Sequence, residues 1–540
     1  MIDIELPLGK RTKTYRFFEI LPAMISYGYI VLLIVLSVVN PFLAAMYLLA
    51  VILTLLIKSG AIAIRTIQGY GHLQKARSVD WQKRLNELDL ARSTKKSIPG
   101  VQPREFHAKY HTQYLEELRQ YPEKYPKVGD IHHAVIVATY NESIETLRPT
   151  LQSIADTQFP NNKIILVLAY EERGGAETKA TARQLQEEFG TQFHAFLAVK
   201  HPKDLPDELI GKGSNITYAG KYLKKWLKTQ KIDKESLIVT TLDSDNRPDE
   251  TYFSYVAYEY IVRQNRQSLS FQPIALFLNN IWDAPAPMRV IATGNSFFNI
   301  IMSMRPHVLR NFASHSQPYS ALEDMDFWSV RTVVEDGHQY WRSYFHFDGK
   351  YGVVPIYVPI YQDAVLSHTY WKTLKAQFGQ VSRWAYGASD VPYVAVRVLS
   401  KKRTVPFISG IPHLVRLIDN HTTWASMSIL VAVGGWVPLL LNQEASRSIV
   451  AHELPEVISS IQRLAMIGIF ITIFLTFKML PPRPERYKKH RSLLMLVQWV
   501  LMPITSIAYG SLAAFYSQTR LALGKYMDTF NVTVKAVKKD

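Results

Sequence analysis

Two carboxylates one residue apart, Asp243 and Asp245, close the run Leu-Ile-Val-Thr-Thr-Leu-Asp-Ser-Asp that begins at Leu237. Acids so placed can hold a divalent cation against a diphosphate, because Mg²⁺ commonly takes one or two carboxylates and fills its shell with phosphate oxygens. An acidic turn that caps a strand is the plainer alternative. Lys212-Gly213-Ser214-Asn215 has the make-up of a helix entry whose backbone N–H groups and lysine hold phosphate. Tyr140-Asn141-Glu142 follows an apolar run and offers a second such loop, with a simple helix cap as its alternative. Two acidic pairs, Glu323-Asp324 and Glu335-Asp336, can each supply a general base for a hydroxyl nucleophile. Gln380, Arg383 and Trp384 put an amide, a cation and an aromatic ring on one stretch. Such a set serves a sugar and a diphosphate, or forms a cation–π core pair.

These residues need elements to position them. The β-branched run 237–242 reads as a buried parallel strand, and its carboxyl end is where open α/β sheets bind ligands. Further strands are expected at 133–139, 163–169 and 193–199, alternating with helices at 144–157, 176–189 and 214–229. The alternation predicts an α/β fold with a doubly wound mixed sheet over residues 130–395.

The 540 residues carry a net charge of +17 and are 48% hydrophobic. A mean hydropathy of −0.04 therefore requires apolar and polar regions to be segregated. Basic residues cluster beside apolar segments (Lys10, Arg11, Lys13, Arg16; Arg483, Arg486, Lys488, Lys489, Arg491), which favours a membrane partner over nucleic acid. The absence of cysteine excludes disulfides, thiol nucleophiles and zinc–cysteine sites.

Residues 17–39 and 42–64 are long enough to span a bilayer, and Asn40-Pro41 turns between them. Lysines and arginines at both ends place the ends of this hairpin, residues 1–65, in the cytoplasm. Residues 66–129 form a charged cytoplasmic connector. After the 130–395 domain an interfacial helix is expected over 396–420, then a membrane region over 421–516 and a cytoplasmic tail over 517–540. Pro503 interrupts the last apolar segment, 493–516. A re-entrant pair there is the favoured reading, because it keeps Lys525, Lys535, Lys538 and Lys539 inside, whereas a single span puts them outside, against the positive-inside rule.

The order of the motifs is more specific than any one of them. The chain resembles the membrane-embedded processive family 2 glycosyltransferases, which include cellulose, chitin and hyaluronan synthases. The resemblance rests on Ala-Thr-Tyr-Asn-Glu at 138–142, Gly-Lys-Gly-Ser-Asn at 211–215, Asp-Ser-Asp at 243–245 and Glu-Asp at 335–336. It continues through Gln-Val-Ser-Arg-Trp at 380–384 and Phe-Asn-Val-Thr-Val-Lys at 530–535. It implies a GT-A-like cytoplasmic domain flanked by transmembrane helices in a multi-pass protein of the cell membrane. It also implies transfer from a nucleotide sugar, a UDP-sugar in first place, to a growing polysaccharide that the membrane helices could conduct outward.

By the same resemblance Asp243 and Asp245 bind Mg²⁺ or Mn²⁺. Tyr140, Glu142, Lys212, Asn215, Asp243, Arg383, Thr533 and Lys535 contact the donor, and Gln380 and Trp384 contact the acceptor. Asp336 is the expected base because it stands nearer Trp384 in sequence than Asp324, its reserve. Two departures stand out. Neither acidic pair follows a Thr, and Ala169-Tyr170-Glu171-Glu172 replaces Asp-Asp-Gly, leaving Glu171 or Glu172 to meet the nucleotide base. Two other functions fit the same residues: transfer of one sugar to a lipid carrier, and a non-catalytic membrane subunit that binds nucleotide or polysaccharide.

Overall fold

The computed structural model describes residues 4–7, 9–93, 105–442 and 449–528. Two long apolar helices come first. The Thr12 hydroxyl caps α1 (Lys13–Val39) by accepting the Tyr15 N–H at 3.2 Å. Asn40 ends α1, and its side chain accepts the Phe42 N–H at 3.0 Å to start α2 (Pro41–Arg77), with Pro41 in the first turn. The hairpin is as expected, but α2 runs past residue 64 to Arg77. Gly69 permits this extension to cross the sheet domain, since a Cβ there would meet Ile300 Cγ2 at 2.6 Å.

The charged connector contributes two helices, α3 (Trp81–Ser93) and α4 (Ala108–Gln120), to the largest core. Trp81 stacks on Tyr255 at 3.6 Å, and His111 bridges Glu87 and the Tyr258 hydroxyl at 2.8 Å each. Polar composition hid this, because the apolar residues that reach the core, Trp81, Leu85, Leu88, Leu115 and Leu118, are few among many charges.

A parallel unit follows: β1 (His132–Thr139), α5 (Ile144–Ala155), β2 (Ile164–Glu171), α6 (Gly175–Phe189), β3 (Ala195–His201), α7 (Lys212–Leu227) and β4 (Leu237–Asp243). Alternate side chains serve opposite faces. Val135, Val137, Leu166 and Leu168 pack with α5 and α6, while Ile136, Ile165 and Val167 meet Ile216, Ala219 and Leu223 of α7. The chain thus winds to opposite sides of β1, which makes the gap between β1 and β4 a topological switch point.

The second half adds β5 (Arg247–Pro248), α8 (Tyr252–Val262), β6 (Leu269–Leu276), α9 (Ala286–Ser303), β7 (Ser316–Pro318), α10 (Tyr319–Asp324), α11 (Glu335–His346), β8 (Gly352–Tyr361), α12 (Tyr370–Ala385) and α13 (Asp390–Val398). The eight strands run β3-β2-β1-β4-β7-β6-β8-β5, with β7 antiparallel to both neighbours, so the sheet is mixed.

The remaining helices are α14 (Phe407–Val433), α15 (Val437–Leu441), α16 (Ile449–Met479), α17 (His490–Val497), α18 (Met502–Thr505) and α19 (Leu512–Ala522). Two expectations change here. The boundary placed at 420 falls inside α14, where Asp419 pairs with Lys58 at 3.7 Å and the His421 carbonyl accepts from Gln518 at 2.9 Å, so polar residues do not end the helix. The re-entrant pair at Pro503 is also absent: α17 to α19 form one helical run joined by a 3₁₀ turn and a π turn. Pro503 sits in the first turn of α18, where its missing N–H costs nothing.

Both ends of that run nevertheless meet the sheet domain or the start of α1. Arg491 donates to the Trp282 carbonyl at 2.9 Å, and at the far end Ser517 donates to the Ser382 carbonyl at 2.6 Å and Arg16 to that of Ala522 at 2.7 Å. Among the described residues, four helical segments are long and apolar enough to cross a membrane: α1, α2, Phe407–Leu441 and His490–Ala522.

Candidate active site

Strand β4 delivers Asp243 to the switch point, and α7 begins beside it with Lys212. The Lys212 ammonium lies 2.8 Å from Asp243 Oδ1 and 2.9 Å from Asp336 Oδ2. One buried cation therefore ties β4, α7 and α11 together. Burial opposes its charge, but Asp243, then Asp336 and Glu335, outweigh that and hold its pKa above the usual lysine value. Asp336 lies in the first turn of α11, where the helix dipole favours a carboxylate.

Glu335, next to it, is buried, and its Oε2 has no hydrogen-bond partner. Burial and then the charge of Asp336 push its pKa up to about 7. Because the folded value lies above the unfolded one, Glu335 costs nothing below pH ~4.5 and destabilises increasingly between there and about 7. Glu335→Gln should remove a penalty on the order of 3 kcal/mol at pH 8. Thermal midpoints across pH check this: the variant gains at pH 8 and gains nothing at pH 4.

Arg383, on α12, is half-buried, and burial lowers its pKa against the opposing charges of Glu335, Asp243 and Asp336. It stands in the field of the same three carboxylates. Sequence reasoning missed His315, which is buried with Nδ1 bonded to the Phe312 carbonyl at 2.9 Å and 3.8 Å from Asp336 Oδ1. A lone histidine in a polar run carries no motif that would single it out.

Gly213 sets how closely α7 approaches the loop before α11. A Cβ there would stand 2.6 Å from the Ser329 carbonyl oxygen and 3.2 Å from Glu335 Cβ. Gly213→Ala should push that loop from Lys212, with a stability loss of about 1–3 kcal/mol. Chemical denaturation measures it, and an unchanged midpoint would refute the packing argument.

The other expected residues take varied places. Asp245 is buried, with Oδ2 accepting the Asp363 N–H at 3.0 Å. Glu142 folds the loop after β1 onto itself, accepting from Thr139 Oγ1 at 2.7 Å and the Tyr140 N–H at 2.8 Å. The Tyr140 ring lies under Arg173 at 5.1 Å. Glu171 pairs with Arg173 at 2.8 Å and His201 at 3.2 Å. His201 also meets Glu208, and although burial opposes its charge the two acids raise its pKa to about 9. Glu172 pairs with Lys200 at 2.7 Å.

The Asn215 amide donates to the carbonyls of Thr139 at 3.3 Å and Ala169 at 2.9 Å, so it ties strand ends together beneath the crevice. Gln380 accepts from Gln377 at 3.2 Å, and the Trp384 ring is 6.2 Å from Phe277. Asp324 is not in the cluster: its neighbour Glu323 pairs with Lys224 and Lys234, toward the far end of α7. That end is about 18 Å along the helix axis from Lys212. Thr533 and Lys535, with the rest of Phe530 to Lys535, lie outside the described residues.

Among the described residues no group of three or more His, Asp or Glu is placed to hold a metal. The donor set of Asp243 and Asp245 still fits a Mg²⁺- or Mn²⁺-diphosphate pair, since such ions take much of their shell from phosphate. The Asp243 side chain is 36% exposed, enough to reach a ligand in the crevice.

No protein-family model and no curated protein matches the chain. Among solved structures it is similar to the mannosyltransferase PcManGT from Pyrobaculum calidifontis in complex with GDP-Man and Mn²⁺. The identity is 14%, with 83% of this chain and 99% of that one covered and a TM-score of 0.37. It is similar also to S. aureus TarS 1-349 in complex with UDP-GlcNAc, at 13% identity, 73% and 93% coverage and a TM-score of 0.35. Both values are low, so the chemistry is argued from the chain's own residues.

Proposed function

We propose that this chain is an inverting membrane glycosyltransferase of the family 2 type, moving a sugar from a nucleotide-sugar donor to the hydroxyl of a growing polysaccharide. The observation that carries the reading is the meeting of Lys212, Asp243, Asp336 and Arg383 at the switch point of the sheet. Four separate stretches of sequence converge there, two acids among two cations. The order of the motifs, from Ala138 to Trp384, supports the same assignment.

Asp336 takes the proton of the acceptor hydroxyl as its oxygen attacks the anomeric carbon from the face opposite the diphosphate. Lys212 holds Asp336 in place at 2.9 Å before the acceptor arrives. Arg383 and Lys212 stabilise the negative charge that collects on the leaving diphosphate. Asp243 and Asp245 would hold Mg²⁺ or Mn²⁺, which when bound neutralises part of that charge. Gln380 and Trp384 line the acceptor side on α12, and Tyr140, Glu142 and Glu171 frame the donor side at the ends of β1 and β2. Asn215 acts on the donor site through the strand ends it ties. The donor contacts that the resemblance implies for Thr533 and Lys535 fall in the tail, outside the described residues.

The membrane reading rests on the apolar helices and on the basic residues at their domain-side ends. It places the sheet domain in the cytoplasm and the multi-pass chain in the cell membrane. The test is a donor screen on purified full-length protein with Mg²⁺ or Mn²⁺, reading nucleoside diphosphate release across UDP- and GDP-sugars and sizing the product. A long, digestible polymer is expected. A single-sugar lipid would replace the polymer with a lipid acceptor, and no release from any donor would defeat the enzymatic reading.

A further inference from the structure

A second concentration of charge lies away from the carboxylate cluster, where the sheet domain meets α2 and α14. Arg65 of α2, Arg305 and Arg310 from the loop after α9, and Arg416 of α14 gather there with His307 and His413. All four arginines are half-buried. Among the described residues no carboxylate forms an ion pair with any of them. Asp390, the nearest acid to act on Arg310, is committed to His338 Nδ1 at 2.6 Å, and Asp419 to Lys58 at 3.7 Å. Like charges held together without counter-ions carry a repulsive cost, and burial adds to it.

Three of them, Arg310, His413 and Arg416, line a small cavity. Its walls are Val308, Arg310, Tyr340, Trp341, His413 and Arg416. The Arg310 guanidinium lies 5.3 Å from the Trp341 ring, and the His413 ring 5.0 Å from that of Tyr344. Trp341 is buried, and its indole N–H finds no acceptor in the protein. The cavity thus offers two guanidiniums and an imidazole, all donors or capable of donating, with the Trp341 side chain in its wall.

We propose that this cavity binds a phosphate group. Guanidinium forks match phosphate oxygens in geometry and charge, and the bound anion relieves the repulsion among the arginines. The surroundings favour a phosphate carried on a lipid. The first turns of α14 present Phe407, Ile408 and Val415 outward, Ile408 being 88% exposed, and the exposed cations Lys401, Lys402 and Arg403 precede them. Apolar side chains beside cations form the pattern of a segment lying at the headgroup level of a bilayer. The site lies outside the transfer machinery and does not rest on the transfer reading.

The test uses the full-length protein in nanodiscs of phosphatidylcholine with or without phosphatidylglycerol, and native mass spectrometry to count the lipid retained on release. Phosphatidylcholine carries the same phosphodiester beside a choline cation that the arginines repel, so phosphatidylglycerol should be retained about tenfold or more over it, and Arg416→Gln should cut that preference by a similar factor. Arg416→Gln keeps a polar side chain at this half-buried position, and the wild-type comparison needs no variant at all. Inorganic phosphate serves as competitor. If it binds, with the loss in Arg416→Gln but no lipid preference, the phosphate site stands and its ligand is a free phosphate. Equal retention of both lipids without phosphate binding, or an Arg416→Gln protein equal to wild type, overturns the proposal.

Discussion

Asp336→Asn should lower glycosyl transfer by about 10³-fold while leaving donor binding near the wild-type level. The asparagine keeps the size and the position in the first turn of α11 but cannot take a proton. Lys212 retains Asp243 as a partner at 2.8 Å, so the variant should fold, with one charged contact exchanged for a neutral one. Removal of a general base lowers kcat, because the base acts in the transition state and not in donor capture. The readout is nucleoside diphosphate release alongside donor affinity measured by calorimetry. Asp324→Asn is the matched control. Its neighbour Glu323 is tied to Lys224 and Lys234, so the loss should be small. If Asp336→Asn kept full transfer, or if Asp324→Asn lost as much, the base would have to be sought elsewhere.

The strands and helices of the first half were legible because each obeys one local rule. Apolar runs bounded by turns gave β1, β2, β3 and β4 to within two residues or so, and helical spacing gave the helices between them. What failed were features decided by contacts distant in sequence. The boundary at 420 failed because Lys58 and Gln518 satisfy the polar groups of α14 from other helices. The turn at Pro503 failed because a proline in a first helical turn reads locally like a breaker. Within the site, Asp243, Asp336, Lys212 and Arg383 were legible as types in an order. That Lys212 bridges two acids was not, since nothing in a lysine's sequence neighbourhood names its partners. His315 and the arginine cluster were invisible for the same reason: they arise only where β7, α11, α2 and α14 come together.

The bridging of two acids by one lysine yields the other large expectation. Lys212→Met should remove the cation that two carboxylates share, leaving Asp243 and Asp336 in the field of a buried Glu335, with Arg383 opposing all three. Breaking a buried pair from one side costs about 3–5 kcal/mol when the remaining charge is uncompensated. Glu335, already pushed up to about 7 by burial and then by Asp336, loses the opposing charge of Lys212 and so holds its proton further up the pH scale. In the wild type the lysine's folded pKa is raised, so its contribution is full at every pH below the unfolded lysine value, about 10.4, and is lost only as pH rises through the folded one. In the variant a folded Glu335 binds a proton that the unfolded chain releases near pH 4, so stability falls as pH climbs from there. The gap in thermal midpoint between wild type and Lys212→Met should therefore widen from pH 5 to pH 8. Lys212→Arg keeps the charge and should restore most of the lost midpoint even where it fails to restore the rate. A Lys212→Met profile superimposable on the wild type would mean that the ammonium does not oppose the charge of Glu335, and the site would have to be rebuilt around Arg383.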